Sequence, residues 1–279
     1  MPRMLTIALV LVAVAVVTAI VAASAFERRV TREIDTLLAD SRASRAATIE
    51  PDDLERLPIP VQRWLRYSRV IGMTQPTSLR LRQEGEFDLG RGWMPFHAEQ
   101  YFTVDPPGFV WRASFRMMAG VPVVGRDQYR AGVASMDMRL LSLVPVAKKT
   151  GGGLNQGDLL RFLGEMQWFP GAALSNYVTW EAVDATSARA TMSYGGISAS
   201  MTFIFGEDGR LLEEQATRYN DARGQNEMWV NRNAVDREFD GVVVPAVGEA
   251  RWEYASGPFP YIRWQITALE RERPARFEH

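Results

Sequence analysis

The chain has 279 residues, 47% hydrophobic and 23% charged, with a net charge of −1 and a pI near 6.2. That suits one large domain or two small ones and recruits no polyanion globally; no basic stripe interleaved with aromatics marks a nucleic-acid surface. Cysteine is absent and His97 is the only histidine before the terminal His279, which excludes disulfides, thiolate or multi-histidine metal centres, cysteine nucleophiles and a lipidated cysteine.

From Met4 to Phe26 the chain carries no charge, long enough for a membrane-crossing helix of roughly 20 residues. A secretory peptide competes, because Arg3 gives a basic start and Ala23-Ser24-Ala25 fits a small-x-small cleavage site. The apolar run exceeds an ordinary signal core, so residues 1–26 are read as a retained anchor first and a signal peptide second. Arg28, Arg29 and Arg32 follow the span while only Arg3 precedes it, a bias that favours a cytoplasmic domain.

Residues 27–50 read as a helical stalk and linker. Val30, Ile34, Leu37 and Leu38 form an apolar stripe, and the segment frays into a polar stretch ending near Ala47. Residues 51–279 form a single β-rich domain with no Pro-, Ser- or Gly-rich boundary inside it. Pro51, Asp52 and Asp53 suit a helix start, Pro58 and Pro60 interrupt, and Val61, Trp64, Leu65 and Ser68 recur at helical spacing. Arg63, Arg66 and Arg69 face water, and Gly72 is the expected helix end.

After Gly72 the period becomes two. Leu79 to Phe87, Phe96 to Val104, Phe109 to Met117 and Val133 to Val146 alternate, with Asp105-Pro106-Pro107-Gly108 as a turn. Gly125-Arg126-Asp127 reads as a local ion pair near a turn. Lys148 to Gly153 reads as a basic, Gly-rich loop whose order is wrong for a phosphate-binding P-loop. The second half offers strands at Tyr177 to Val183, Ala188 to Tyr194, Ile197 to Phe205, Arg210 to Tyr219, Gln225 to Asn231, Arg237 to Val244, Gly248 to Tyr254 and Tyr261 to Leu269. Gly206 to Gly209 is a tight connection. The class is α+β with strands dominant.

Between the halves, a helix from about Gln156 to Trp168, capped by Asn155 and stopped by Pro170, gathers Leu159, Phe162, Leu163, Met166 and Phe169 on one face. Arg161 and Glu165 border that stripe. As an exposed pair they contribute only about 0.2–0.5 kcal/mol, so a boundary salt bridge competes with headgroup contact at a pocket mouth. Glu84, Glu86 and Asp88 describe a solvated strand face more simply than a cation site, and His97 shares a face with Glu99 and Tyr101. No Ser-His-Asp order or nucleophile elbow is present. No catalytic residue, metal ligand or cofactor is assigned.

Five stretches together, LPIPVQRWLRYSRVIG, DPPGFVWRASFRMMAGVPVVGRDQY, MDMRLLSLVPVA, LLRFLGEMQWFP and GEARWEYASGPFPYIRW, resemble an uncharacterised bacterial family of unknown function. It is grouped on fold with the outer-membrane lipoprotein carriers, and the similarity covers roughly Leu57 to Leu269. The resemblance implies a strongly curved antiparallel half-barrel with covering helices and an apolar concave side for acyl chains, here preceded by a transmembrane helix. It also implies an extracytoplasmic domain on the bacterial cytoplasmic membrane, periplasmic or secreted if the N-terminus is cleaved. The expected partners are the membrane and a lipid, lipoprotein or other hydrophobic ligand held without catalysis. Trp111, Phe115, Phe162, Trp168 and Trp180 are the candidate lining, and Arg161 and Glu165 the candidate headgroup contacts. A closed-core interaction module and an envelope hydrolase remain alternatives.

Overall fold

The computed structural model describes residues 2–41, 47–116 and 122–278. Among these residues, three α-helices and thirteen strands follow in the order α1 (Pro2–Asp40), α2 (Ile59–Tyr67), β1 (Ser78–Asp88), β2 (Trp93–Thr103), β3 (Gly108–Arg116), β4 (Pro122–Arg130), β5 (Val133–Leu140) and β6 (Val144–Thr150). Then come α3 (Gly153–Glu165), β7 (Val178–Ala182), β8 (Ser187–Tyr194), β9 (Ile197–Phe205), β10 (Leu211–Asn220), β11 (Gln225–Phe239), β12 (Val242–Tyr254) and β13 (Gly257–Arg271). Residues 42–46, where the stalk was expected to fray, lie outside the described residues, as does Met117.

All strands join one antiparallel sheet in the order β6-β5-β4-β3-β2-β1-β13-β12-β11-β10-β9-β8-β7. Two meanders meet where β1 pairs with β13, leaving β6 and β7 as the free edges. The sheet curves strongly without closing. α3 bridges its two arms, touching β4, β5 and β6 on one side and β8, β9 and β10 on the other. The arms also meet at their turns. Gly132, between β4 and β5, lies so close to Gly195, between β8 and β9, that a Cβ on either would collide with the other's backbone; both have positive φ. At this contact only glycine supplies both the turn geometry and the clearance.

Alternation places Leu79, Leu81, Phe96, Phe102, Phe109, Trp111, Phe115 and Tyr129 on the concave face, where they form the main core with α3 and α2. The other face of β2 and β3 carries a second core. There Phe26, Val30, Ile34, Leu37 and Leu38 of α1 bury against Tyr101, Val110 and Phe277. The stripe assigned to a stalk is thus docked on the sheet, and it continues the N-terminal apolar run as one unbroken helix.

Several sequence readings are corrected. Gly125-Arg126-Asp127 sits mid-strand in β4, and its two charges point to opposite faces: Arg126 meets Glu33 of α1 at 3.0 Å, whereas Asp127 meets Arg161 of α3. Val133 to Val146 is a hairpin, turned at Leu141 and Ser142, both with positive φ. Lys148 and Lys149 belong to β6 rather than to a loop. Arg237 to Val244 is likewise broken by an Asp240-Gly241 turn, and Gln225 to Phe239 is one strand. α2 ends at Tyr67, with Arg69 rather than Gly72 taking the left-handed position that follows it.

Candidate functional site

α3 begins at Gly153 and extends to Glu165, continued by 3-10 turns at Met166–Trp168 and Pro170–Leu174. Asn155 does not cap it. Gly152 holds the cap position without a side-chain bond, and Asn155 Oδ1 accepts the Ala134 N–H at 2.8 Å. The helix persists because Leu159, Leu160, Phe162 and Leu163 are buried, with Phe162 packed on Phe102, Phe169 and Tyr177. Tertiary packing, not propensity, holds it: Gly157 and Gly164, inside the helix, each weaken it by about 1 kcal/mol relative to alanine.

The Arg161–Glu165 pair is not an exposed boundary bridge. The helix turns both side chains toward the concave sheet, where they are 19% and 12% exposed. Arg161 Nε meets Glu165 Oε1 at 2.8 Å and Nη1 meets Asp127 Oδ2 at 2.8 Å. Gln100 closes the ring, donating Nε2 to Glu165 Oε2 at 2.6 Å and accepting from Arg161 Nη2 at 3.4 Å. The guanidinium lies over Phe109 and Trp111, 4.8 and 5.1 Å from their ring centres. Burial alone would lower the Arg161 pKa, but Glu165 and Asp127 outweigh it and hold the cation charged. Glu165 is raised, because burial exceeds the opposing pull of Arg161 and Gln100.

Two further acids lie in the same seam. Asp158 is pushed well up by burial and then by Asp127, to which it is hydrogen-bonded. Asp127 Oδ1 and Asp158 Oδ2 are buried and lack any other partner. Glu214 of β10 is also well raised by burial. Its Oε2 accepts from Asn231 Nδ2 at 3.0 Å and its Oε1 has no partner. Asn231 Oδ1 in turn accepts the Trp264 indole N–H at 3.1 Å. An aromatic interior therefore encloses four carboxyls and an arginine, several of whose oxygens are unsatisfied.

The expected lining is distributed unevenly. Trp111 joins the cluster beneath Arg161, and its Nε1 donates to Gln83 at 3.0 Å. Phe115 packs on Trp111, Phe96 and Phe87. Phe162 and Trp168 are buried under the cover; Trp168 donates to the Pro245 carbonyl at 3.1 Å and meets Trp264 edge-on. Trp180 stands apart, grouped with Trp64 and Phe203 beside α2. Gln100, Glu214 and Asn231 were not singled out from the sequence; Asp127 was read only as a local ion pair with Arg126, and Asp158 only as a helix residue on the sector of Arg161 and Glu165. The available signal was strand parity, which puts Gln100 and Asp127 among residues of the apolar face.

Elsewhere the polar candidates have ordinary roles. Asp88 Oδ1 accepts the N–H groups of Gly90, Arg91 and Gly92 at 2.7, 3.0 and 3.0 Å, shaping the β1–β2 turn. His97 is exposed on the convex face opposite Glu84 and Ser114. Among the described residues no group of three or more His, Asp or Glu side chains is placed to hold a metal ion.

A model of the family of unknown function DUF6544 matches residues 47–264. The chain belongs to that family. Among solved structures, this DUF6544 chain is similar to a DUF1329 family protein from Desulfovibrio piger, with 12% identity and a TM-score of 0.43 over 78% of this chain and 93% of that one. It is also similar to a putative outer membrane lipoprotein-sorting protein domain from Vibrio parahaemolyticus, with 8% identity and a TM-score of 0.43 over 71% and 87%. A LolA superfamily protein from Nitrosomonas europaea gives 9% identity and 0.41 over 77% and 95%. No curated protein gives a significant match.

Proposed function

We propose that this DUF6544 member is a membrane-tethered envelope domain that holds a lipid, a lipoprotein acyl chain or another hydrophobic molecule by burial, without covalent catalysis. The observation that carries the reading is the under-satisfied ionic seam between the concave sheet and α3. Replacing such groups by apolar ones often stabilises a core, so their presence under a glycine-bearing helix suits a cover that exchanges partners. β6 and β7 are separate edges, so lifting α3 between them breaks no strand ladder. An acyl chain entering there gains about 0.8 kcal/mol per buried methylene. In this reading Trp111, Phe115, Phe162, Trp168 and Trp180 contact the chain, and Arg161 and Glu165 orient its polar end.

The apolar run supports tethering. It forms a helix long and apolar enough to cross a membrane, and its most apolar stretch is uncovered by the rest of the chain. Ala23-Ser24-Ala25 lies within the unbroken helix just ahead of the docked Phe26, which favours a retained anchor over a cleaved one. An extracytoplasmic domain belongs to the same proposal, against the bias of Arg28, Arg29 and Arg32.

A closed-core interaction module is the second reading. It is favoured by the tight packing of Phe102, Phe162 and Phe169, at 0%, 1% and 1% exposure, and by the exposed Val144 and Val146 on edge strand β6. Titration of a brominated fatty acid onto residues 26–279, which keep the docked part of α1, separates the two. Saturable quenching of buried tryptophans is the expected outcome; no quenching beyond that of free tryptophan supports the closed core.

A further inference from the structure

The anchor helix is clamped to the sheet along its second half. Asp40 meets Arg130 at 2.6 Å, Glu33 meets Arg126 at 3.0 Å, Arg29 meets Asp137 at 2.7 Å, and Phe26 packs beside Val124. From Asp40 to Phe26 the helix climbs about 21 Å; from Arg130 to Val124, β4 extends about 20 Å. Helix and strand therefore run side by side. The helix leaves the sheet at the end where β3 meets β4 at Arg116 and Pro122, where β5 turns into β6 after Leu140, and where β1 turns into β2 between Asp88 and Trp93.

That end flanks the last turns of the apolar run. Ala8, Ala13 and Ala15 are exposed, whereas Ala19, Ala22 and Ala23 are half-buried. The turns on it expose apolar side chains, with Leu89 at 70%, Leu141 at 45% and Val144 at 56%. Arg28, Arg91 and Arg116 are also exposed. Between the departing helix and the sheet opens a cleft of about 360 Å³ lined by charged groups that include Glu27, Arg82, Glu84, Glu99 and Arg112. Apolar tips interleaved with arginines beside a membrane-length helix match the headgroup-to-acyl boundary of a bilayer, where an apolar face sinks about 5–10 Å.

We propose that this end of the sheet is a second membrane contact. The β1–β2 and β5–β6 turns rest in the leaflet that the helix enters, Leu89, Leu141 and Val144 in lipid and Arg91 and Arg116 at the phosphates. The docked helix fixes the domain against the bilayer instead of letting it swing on a stalk. The proposal rests on the reading that Met4 to Phe26 crosses the membrane.

The cysteine-free chain allows a direct test. Single variants Leu89→Cys, Val144→Cys, Val183→Cys and Leu11→Cys carry an environment-sensitive fluorophore on the full chain, reconstituted in vesicles of equal parts phosphatidylcholine and phosphatidylglycerol. The first three sites are exposed in the folded domain, so they tolerate the label, and Val183 lies beside α2 at the opposite end. Expected at Leu89, Val144 and Leu11 are a blue shift, several-fold loss of iodide quenching and strong quenching by brominated lipid; Val183 stays aqueous. Iodide quenching at Leu89 and Val144 equal to that at Val183, with Leu11 in lipid, overturns the second contact and leaves the anchor standing. Shielding from iodide without quenching by lipid, the signature of a protein partner or a second copy, also overturns it. An aqueous Leu11 sinks the anchor reading and the second contact together.

Discussion

Asp158, Glu165 and Glu214 have pKa values above the ordinary 3.8 and 4.5 of their carboxyls, chiefly because burial disfavours the charged form. Each binds its proton more tightly folded than unfolded. Their contribution to stability is thus fully present below the unfolded value and is lost as pH rises through the folded one. Between pH 5 and neutrality, urea midpoints are expected to fall as pH rises, and Glu214→Gln is expected to raise stability at pH 7 and flatten the profile. An unchanged slope in that variant would contradict a buried proton at Glu214. Removing the cation has the opposite effect. Arg161→Met leaves Asp127 and Glu165 unpaired and is expected to cost about 3–5 kcal/mol at pH 7. The loss should shrink at pH 5 as Glu165 takes up a proton, and a surface bridge would lose under about 1 kcal/mol at either pH.

At the level of elements, α1 is expected to be part of the domain rather than a spacer. Leu37 is fully buried beside Gly108, so Leu37→Ala should destabilise the fold by about 2–5 kcal/mol in urea titrations followed by tryptophan emission. A free stalk would show no change. The same packing explains what the sequence disclosed and what it hid. β1, β2, β3 and β9 were legible within a few residues because one face is greasy and the other solvated, the condition under which period two is visible. β4 was not, because α1 covers one of its faces and the α3 seam the other; Val123, Val124, Arg126 and Asp127 then show no alternation. The β5–β6 turn was hidden because Leu141 and Ser142, rather than glycine or asparagine, take the positive φ. Arg161 and Glu165 were legible as a pair, since both lie on one helix. Their partners Asp127 and Gln100 and the neighbouring Glu214 come from three different strands, and only the topology brings these under α3.

For the whole molecule, the open sheet, the covering helix α3 and the clamped α1 are the features from which we propose a container held at a fixed attitude to the bilayer. Its capacity to hold a hydrophobic molecule is the central claim. Native mass spectrometry of the full chain, extracted in mild detergent from its host's envelope and released gently, tests that claim most directly. A discrete added mass that matches a lipid or acylated molecule and survives detergent exchange is the expected result. A bare polypeptide mass under the gentlest release, from preparations in which the chain remains folded, would contradict it.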